Sequence, residues 1–289
     1  MKQAILITAY KDFEQLDKLV DEFDCRFNIY IHIDKKSPIT DYEKKLLRNN
    51  VRIKYLSQHH LVNWGGLNHL KAYLDLSQVA LNDKDNMYFH LITGQDFPIK
   101  SNSYFDKFFT LEKDYISSFT MPAIGWKNGG MDRIQYYNFY DVFDYRKSSI
   151  WIKRFLKLQK KLGVKRAIPD YMGQLYGGNT YWSLSRTTLS FVNQFTKSNP
   201  SFLRRFKHTF CAEEIYFQTL IMNSKYRERV INSDLRYMDW QSGRGGFPAV
   251  LEEIDFEDII QSDKLFVRKL DMNANGLFDM LSKHRRNNI

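Results

Sequence analysis

Two carboxylate side chains follow apolar, strand-like runs, in positions where an α/β protein binds ligands. Asp34 ends the run Phe27–Asp34, and Asp96 follows the run Met87–Thr93 after a Gly-Gln pair. In open parallel α/β sheets, ligands bind beyond the carboxyl ends of the strands. The sequence therefore predicts that Asp34 and Asp96 lie at the ligand-binding edge of a sheet.

Metal-binding patterns are weak by comparison. The chain has one Asp-x-Asp triplet, Asp83-Lys84-Asp85, a spacing that could hold a metal-bound nucleotide. It precedes the fourth predicted strand, at the wrong edge for that purpose, and is more simply interpreted as a polar loop. His32 and His90 lie along strands with no Cys or His cluster near either, so we expect them in core or supporting roles and predict no metal site.

Signatures of several common enzyme classes are missing from the sequence. No Gly-x-Gly-x-x-Gly follows the first strand, and there is no Walker-type loop and no His-Glu-x-x-His. There is also no Gly-x-Ser-x-Gly nucleophile elbow. These absences argue against dehydrogenases, P-loop NTPases, zincins and α/β-hydrolases.

The elements that would position the two carboxylates alternate between strand and helix. Asp12 is predicted to cap the first helix, and Gly65-Gly66 to open a helix that runs to about Leu81. The strands are predicted at Ala4–Thr8, Phe27–Asp34, Val51–Ser57, Met87–Thr93 and Tyr115–Thr120. This β-α-β order predicts an α/β fold, with a mostly parallel central sheet flanked by helices.

After about Thr120 the pattern is less regular, and no linker is evident. Tyr181–Leu184 and Leu265–Leu270 are predicted strands, and Ala212–Met222 a predicted helix. The length of 289 residues and the 43% hydrophobic content suit a globular protein. We predict one domain over residues 1–289.

Positive charge is concentrated in one stretch. The net charge is +10, and residues 145–166 hold nine basic side chains and no acidic one. Ile152, Phe155, Leu156 and Leu162 make this stretch an amphipathic helix that could lie on anionic lipid headgroups. A solvated helix face near an anionic donor is the other interpretation.

Cellular location is suggested by what the sequence lacks. Cys25 and Cys211 cannot build a disulfide framework, and no apolar run approaches the roughly 20 residues of a membrane span. The first residues pass directly into a strand-like run without a signal-peptide pattern. We therefore expect a cytoplasmic protein, peripheral on the inner face of the membrane if the basic stretch binds lipid.

Six segments resemble, in order, conserved blocks of one enzyme family. They are residues 31–37, Trp64-Gly65-Gly66, residues 88–100, residues 177–186, residues 212–219 and residues 266–271. The chain is similar in these blocks to glycosyltransferase family 14, the core-2/I-branching β-1,6-N-acetylglucosaminyltransferases and peptide O-xylosyltransferases. The resemblance covers most of the chain. It implies a GT-A-type fold with a nucleotide-binding half over residues 1–120 and an acceptor and catalytic half over 121–289.

The resemblance also implies an inverting transfer from a UDP-sugar, with no metal and no other cofactor. The negative charge of the leaving diphosphate must then be offset by cations of the protein. Arg268 and Lys269 match the pyrophosphate-binding pair of the family. Arg244, in a Gly-rich loop, could close over the phosphates as a third cation.

The remaining site residues come from the same resemblance. Glu214 matches the general base, while Glu213 is its rival, and on a helix only one of the two would face the site. The donor contacts would be Asp34 at the uracil, Trp64 and Asp96, although Asp96 could merely hold its turn. Acceptor binding would fall to Trp240, by stacking, and to Arg133.

The donor sugar is the least determined feature. Thr180 replaces the Asp of the xylosyltransferases, which argues against xylose and leaves N-acetylglucosamine as the expected sugar. Xylose, glucuronate and another hexose stay open as alternatives. Without an anchor or disulfides, the chain resembles a bacterial enzyme of surface-polysaccharide or lipid-linked oligosaccharide synthesis.

A binding protein of another class is the alternative to an enzyme. The basic stretch and an aromatic cluster just before it, residues 136–140 with Phe143 and Tyr145, could bind RNA without catalysis. No RNA-binding signature is present, and this hypothesis does not explain Trp64-Gly65-Gly66 or Glu214. We therefore predict no nucleic-acid partner.

Overall fold

The computed structural model describes residues 2–109 and 113–287. The strands in this part of the chain are β1 (Lys2–Ala9), β2 (Phe27–Ile33), β3 (Ile53–Ser57), β4 (Asn86–Thr93), β5 (Asp96–Pro98), β6 (Asp114–Ile116), β7 (Phe119–Thr120), β8 (Tyr176–Gly177), β9 (Trp182–Ser185), β10 (Val230–Ile231), β11 (Arg236–Tyr237) and β12 (Phe266–Arg268). The α-helices are α1 (Phe13–Asp21), α2 (Asp41–Asn49), α3 (Leu67–Asn82), α4 (Asn102–Phe108), α5 (Asp132–Gln135), α6 (Tyr145–Lys161), α7 (Arg186–Ser198), α8 (Pro200–Arg205), α9 (Tyr216–Met222), α10 (Phe256–Gln261) and α11 (Asn275–Asn287). Among these helices, each is too short or too polar to span a bilayer.

The central sheet has the strand order β10-β6-β9-β4-β1-β2-β3. β1 pairs in parallel with both β2 and β4, and β2 pairs in parallel with β3. β9 runs antiparallel between β4 and β6. The predicted α/β class with a mostly parallel sheet is confirmed. A smaller sheet, in the order β11-β12-β5, lies beside it.

Helices cover both faces of the central sheet, which explains why its inner strands β1, β2 and β4 are buried over almost their whole length and are mostly apolar. Successive side chains of a strand point to opposite faces. Ile5 and Ile7 of β1 accordingly pack in a core with α1 and α11, whereas Ala4 and Leu6 pack in a second core with α3, α7 and α9.

α3 begins where Gly65-Gly66 predicts. Gly65 has a φ of +79°, and a Cβ there would lie 2.6 Å from the Phe210 ring. The side chain that caps this helix comes from a distant segment: the Asp141 carboxylate accepts hydrogen bonds from the backbone N–H groups of Leu67 (3.1 Å) and Asn68 (3.4 Å). The glycine pair therefore lets the chain approach the Phe210 ring and the Asp141 carboxylate closely at the start of the helix.

Three local predictions are wrong. Tyr115–Thr120, predicted as one strand, is divided between β6 in the central sheet and β7, which pairs with β8 in a separate two-stranded sheet. Asp12 does not cap α1, because its backbone is left-handed (φ 56°) and its side chain makes no cap hydrogen bond; it pairs with Lys11 at 2.9 Å instead. The predicted helix Ala212–Met222 is interrupted at Ile215. A 3-10 turn, Ala212–Glu214, precedes α9.

The carboxyl ends of β1, β2 and β4 meet at one edge, as parallel pairing requires. In the register of these strands, Thr8 lies opposite both His32 and Thr93. The residues that follow the three strands are thereby brought together at a common surface.

Candidate functional site

A cavity of about 440 Å³ opens at this edge of the sheet. Thr8, His32 and Thr93 line it from the strand ends, and residues 211–214 and parts of 238–248 contribute to its walls. Its size falls in the range of small-molecule sites. Of the predicted site residues, five line the cavity (Asp34, Trp64, Glu214, Trp240 and Arg268), whereas four do not (Asp96, Arg133, Arg244 and Lys269).

Asp34 and Trp64 lie on one side of the cavity. Asp34 is buried, and its Oδ1 accepts hydrogen bonds from the backbone N–H groups of Lys36 (3.2 Å) and Val62 (3.0 Å). Trp64 is half exposed and packs edge-on against Phe210. A fixed carboxylate and a half-exposed indole thus line the same cavity.

Asp96 serves the turn after β4. Its Oδ2 accepts hydrogen bonds from the backbone N–H (2.6 Å) and the hydroxyl (2.7 Å) of Thr93. Arg268 also donates to this oxygen at 3.3 Å, and Arg236 lies 3.9 Å from Oδ1. Of the two roles left open for Asp96, the geometry favours holding the turn, because the side chain does not line the cavity.

Arg268 and Lys269 are neighbours in sequence, but only Arg268 lines the cavity. Its guanidinium donates to the Thr93 hydroxyl. Burial opposes its charge, yet Tyr181 and Asp96 raise its pKa above the usual value, so it stays a cation. Burial and the nearby charge of Arg268 lower the pKa of Lys269.

Arg244 is held outside the cavity by acidic partners. It forms ion pairs with Asp255 (2.6 Å), Glu252 (3.3 Å) and Asp239 (3.7 Å). The loop that carries it reaches the cavity through other side chains, including Trp240, which is 52% exposed. Closure of Arg244 over a ligand would require it to leave these partners.

Glu214 lines the cavity while paired with Arg133. An Arg133 Nη1 donates to Glu214 Oε2, and the guanidinium carbon lies 3.6 Å from the centroid of the Trp126 ring. Burial raises the pKa of Glu214, and Arg133 partly offsets that rise. The predicted acceptor ligand Arg133 therefore contacts Glu214 and an indole ring rather than the cavity.

Glu213 also lines the cavity, which corrects the expectation that only one glutamate would face it. The 3-10 turn, unlike the continuous helix we predicted, presents both side chains. Glu213 Oε1 lies 3.1 Å from His69 Nδ1, and His69 Nε2 lies 2.7 Å from the Tyr73 hydroxyl. The two glutamates thus belong to separate hydrogen-bonded chains.

Sequence reasoning missed several cavity residues. His69 and Tyr73 are one turn apart on α3, and Lys11 follows β1 at the same edge as Asp34. The rule that ligands bind beyond the carboxyl ends of parallel strands, which placed Asp34 in the site, also applies to Lys11. Tyr181 lies between Arg236 and Arg268, with its ring centroid 4.7 and 5.2 Å from the two guanidinium carbons. It belongs to the block of residues 177–186, but no role in the site was predicted for it.

The expectation of no histidine cluster near His32 is wrong. The rings of His59 and His60 both lie 5.4 Å from the His32 ring. His32 Nε2 accepts a hydrogen bond from the His60 backbone N–H, and burial lowers the pKa of His32 to about 3. His90 behaves as expected: it is fully buried and bonded to Gln3 and Ser183.

The fold and the cavity together define an α/β protein with a small-molecule site at the carboxyl edge of its sheet. The chain belongs to the Core-2/I-Branching enzyme family, whose model matches residues 4–261. This is glycosyltransferase family 14, and the predicted family is thereby confirmed.

Three relatives show the breadth of the family. Xylosyltransferase 1 of Mus musculus is 22% identical over 244 residues, 82% of this chain and 23% of that protein. Beta-1,3-galactosyl-O-glycosyl-glycoprotein beta-1,6-N-acetylglucosaminyltransferase 4 of Mus musculus is 25% identical over 229 residues, 75% of this chain and 46% of that protein. Beta-glucuronosyltransferase GlcAT14A of Arabidopsis thaliana is 22% identical over 256 residues, 83% of this chain and 54% of that protein. The chain therefore spans about a quarter to a half of the length of these relatives.

Proposed function

We propose that the chain is an inverting glycosyltransferase that moves a sugar from a UDP-sugar to a hydroxyl group of a glycan acceptor. The observation that carries the proposal is the placement of Glu214 and Arg268 on the walls of one cavity in a member of family 14. One side chain can accept a proton, and the other can stabilise a departing diphosphate.

In this mechanism Glu214 takes the proton of the acceptor hydroxyl as the oxygen attacks the anomeric carbon. The bond between that carbon and the UDP oxygen breaks on the opposite side, so a single displacement inverts the configuration. Arg268 offsets the charge that develops on the diphosphate. Asp34 would bind the uracil, and Trp240 would stack on the acceptor sugar.

The proposed transfer uses no metal at the diphosphate. Asp83 and Asp85 precede β4 and thus lie at the opposite edge of the sheet from the cavity. Within residues 2–109 and 113–287, one group of three possible ligand residues is close enough together to hold an ion: His59, His60 and Asp75. None of the three lines the cavity.

The donor sugar we propose is N-acetylglucosamine, with xylose, glucuronate and another hexose as alternatives.

A panel of UDP-sugars tests the proposal, with binding and slow hydrolysis measured with and without EDTA. We expect EDTA-resistant binding that weakens on the order of 100-fold in Arg268→Ala. Lys269→Ala should weaken binding less, because Lys269 lies outside the cavity. Failure of every uridine nucleotide to bind would refute the proposal.

We further propose that α6 rests on an anionic membrane. Trp151 and Leu158 of α6 and Leu162, the residue just after it, recur at i, i+7 and i+11, and all three are about half exposed or more. They flank the basic face of the helix, the arrangement of interfacial helices. A membrane position would suit a lipid-linked glycan acceptor and a role in bacterial polysaccharide synthesis.

Co-sedimentation with anionic vesicles at low salt tests this second proposal. Wild type should pellet, and Trp151→Ser with Leu158→Ser should remain in solution. A matched pair of changes at exposed apolar positions elsewhere, Val51→Ser with Ile254→Ser, should leave pelleting unchanged. Absence of wild-type pelleting would exclude membrane docking through α6.

A further inference from the structure

Two histidines and an aspartate converge outside the cavity. His59 and His60 lie in the loop between β3 and α3, and Asp75 lies on α3. His59 Nε2 is 2.9 Å and His60 Nε2 is 2.6 Å from the same atom, Asp75 Oδ2. We call these three residues the His-His-Asp cluster; one ligand atom from each lies within 4.8 Å of the other two.

The chemistry of this donor set suits a transition metal. Two imidazole nitrogens and one carboxylate oxygen are ligands of Zn²⁺ and related divalent ions, whereas Mg²⁺ and Ca²⁺ prefer oxygen alone. Zinc ligands stand about 2.0–2.2 Å from the ion, so neighbouring ligand atoms are about 3.3–3.5 Å apart in a tetrahedron. The two separations between a histidine nitrogen and Asp75 Oδ2 need to open by less than about 1 Å, and the partial exposure of His59 leaves an entry path.

The backbone of the loop is held independently of the three side chains. The His60 N–H donates to His32 Nε2 at 3.1 Å, and the His60 carbonyl accepts from the Lys35 N–H at 2.9 Å. The two rings are therefore presented to Asp75 by a fixed loop. Preorganised ligands of this kind are what a metal site requires.

We propose that the His-His-Asp cluster binds one zinc-class divalent ion, which ties the loop after β3 to α3. None of the three residues lines the cavity, so the ion does not touch the ligand there. The loop itself contacts the cavity residue Asp34 whether or not an ion is bound: the Val62 N–H donates to Asp34 Oδ1, and Gln58 Nε2 donates to the Asp34 carbonyl. The site is structural, and it is separate from the proposed metal-free chemistry at the diphosphate.

The test is a Zn²⁺ titration of untagged, chelator-treated protein, followed by calorimetry and by metal analysis after dialysis. We expect one Zn²⁺ per chain, and affinity lower by at least roughly 100-fold in His60→Ala and Asp75→Asn. Co²⁺ should give visible absorption bands in wild type and lose them in both variants. His284→Ala, a partly exposed histidine elsewhere, should bind as wild type does, and Mg²⁺ should not compete.

Thermal unfolding of each metal-free variant establishes that it is folded before its affinity is compared. Zn²⁺ should raise the Tm of wild type and leave that of Asp75→Asn unchanged. If wild type binds Zn²⁺ no more tightly than Asp75→Asn does, the site does not exist. Because no nucleotide is used, this result is independent of whether the protein transfers a sugar.

Discussion

Glu213 and Glu214 are adjacent and both reach the cavity, yet their partners differ. Glu214 contacts Arg133, and Glu213 contacts His69, which in turn contacts Tyr73. Glu214 is thus paired with a guanidinium and Glu213 with an imidazole ring. We propose that Glu214 takes the proton and that Glu213 has a positioning role.

Substitution of each glutamate by glutamine separates these roles. Glu214→Gln should lower kcat by about 10²–10⁴-fold, because the amide cannot accept the hydroxyl proton. Glu213→Gln keeps a hydrogen-bonding group for His69 and should lower kcat much less. Turnover of the preferred UDP-sugar is the measurement, with exposed Glu228→Gln as the control. Equal losses in both glutamine variants at the cavity would contradict the assignment.

The pH dependence of transfer should report the pairing of Glu214 with Arg133. Burial raises the pKa of Glu214 and Arg133 partly offsets the rise, so Arg133→Gln should raise that pKa further. Only the carboxylate accepts a proton, so activity falls as pH drops through the pKa. The acid limb of kcat/KM should therefore move to higher pH in Arg133→Gln and stay in place in Arg204→Gln. An unmoved limb would show that Arg133 does not tune the base.

Which side chains point into the site was only partly predictable. Sequence blocks identify Arg268 and Lys269 together, but β12 ends at Arg268, and only Arg268 lines the cavity. Arg244 is drawn to Glu252 and Asp255, which belong to a following acidic segment that pattern matching did not connect to it. Whether a basic side chain faces the cavity or pairs with a nearby carboxylate depends on the geometry of the loops, which the sequence does not show.

The strands and helices near the cavity were predicted well where burial is complete. β1, β2 and β4 are apolar runs covered on both faces, and α3 begins at its glycine pair. Short strands and helices were harder to predict from the sequence. Nothing in Tyr181–Leu184 indicated that β9 would run antiparallel, and no Gly or Pro marks the break at Ile215.

The start of α3 gives a stability prediction. Gly65→Ala should destabilise the protein by more than about 1 kcal/mol, because it adds backbone strain and a clash with Phe210. Gly163 has a similar positive φ of +66° but open space around it, so Gly163→Ala carries the strain alone. Urea unfolding should place Gly65→Ala below Gly163→Ala in stability. The reverse order would mean that the Phe210 ring moves aside to accommodate the added methyl group.

In the molecule as a whole, the central sheet was predictable from the sequence, whereas the loops that form the cavity walls were not. Parallel pairing brings the ends of β1, β2 and β4 together, and this alone locates the cavity. Residues 211–214 and 238–248 complete the cavity from distant parts of the chain. Their loop conformations decide the shape around a sugar, which explains why the fold was more predictable than the donor.

The uneven exposure of the cavity walls implies an order of events in turnover. Asp34 is 5% exposed and Trp240 is 52% exposed, so a nucleotide held by Asp34 would lie beneath an acceptor stacked on Trp240. We expect compulsory-order kinetics in which the donor enters first and UDP leaves last. UDP should then inhibit competitively against the UDP-sugar and non-competitively against the acceptor. An acceptor that forms a stable binary complex with the nucleotide-free protein would contradict this order. If the order holds, inhibitors that mimic the acceptor should be sought against the UDP-bound form.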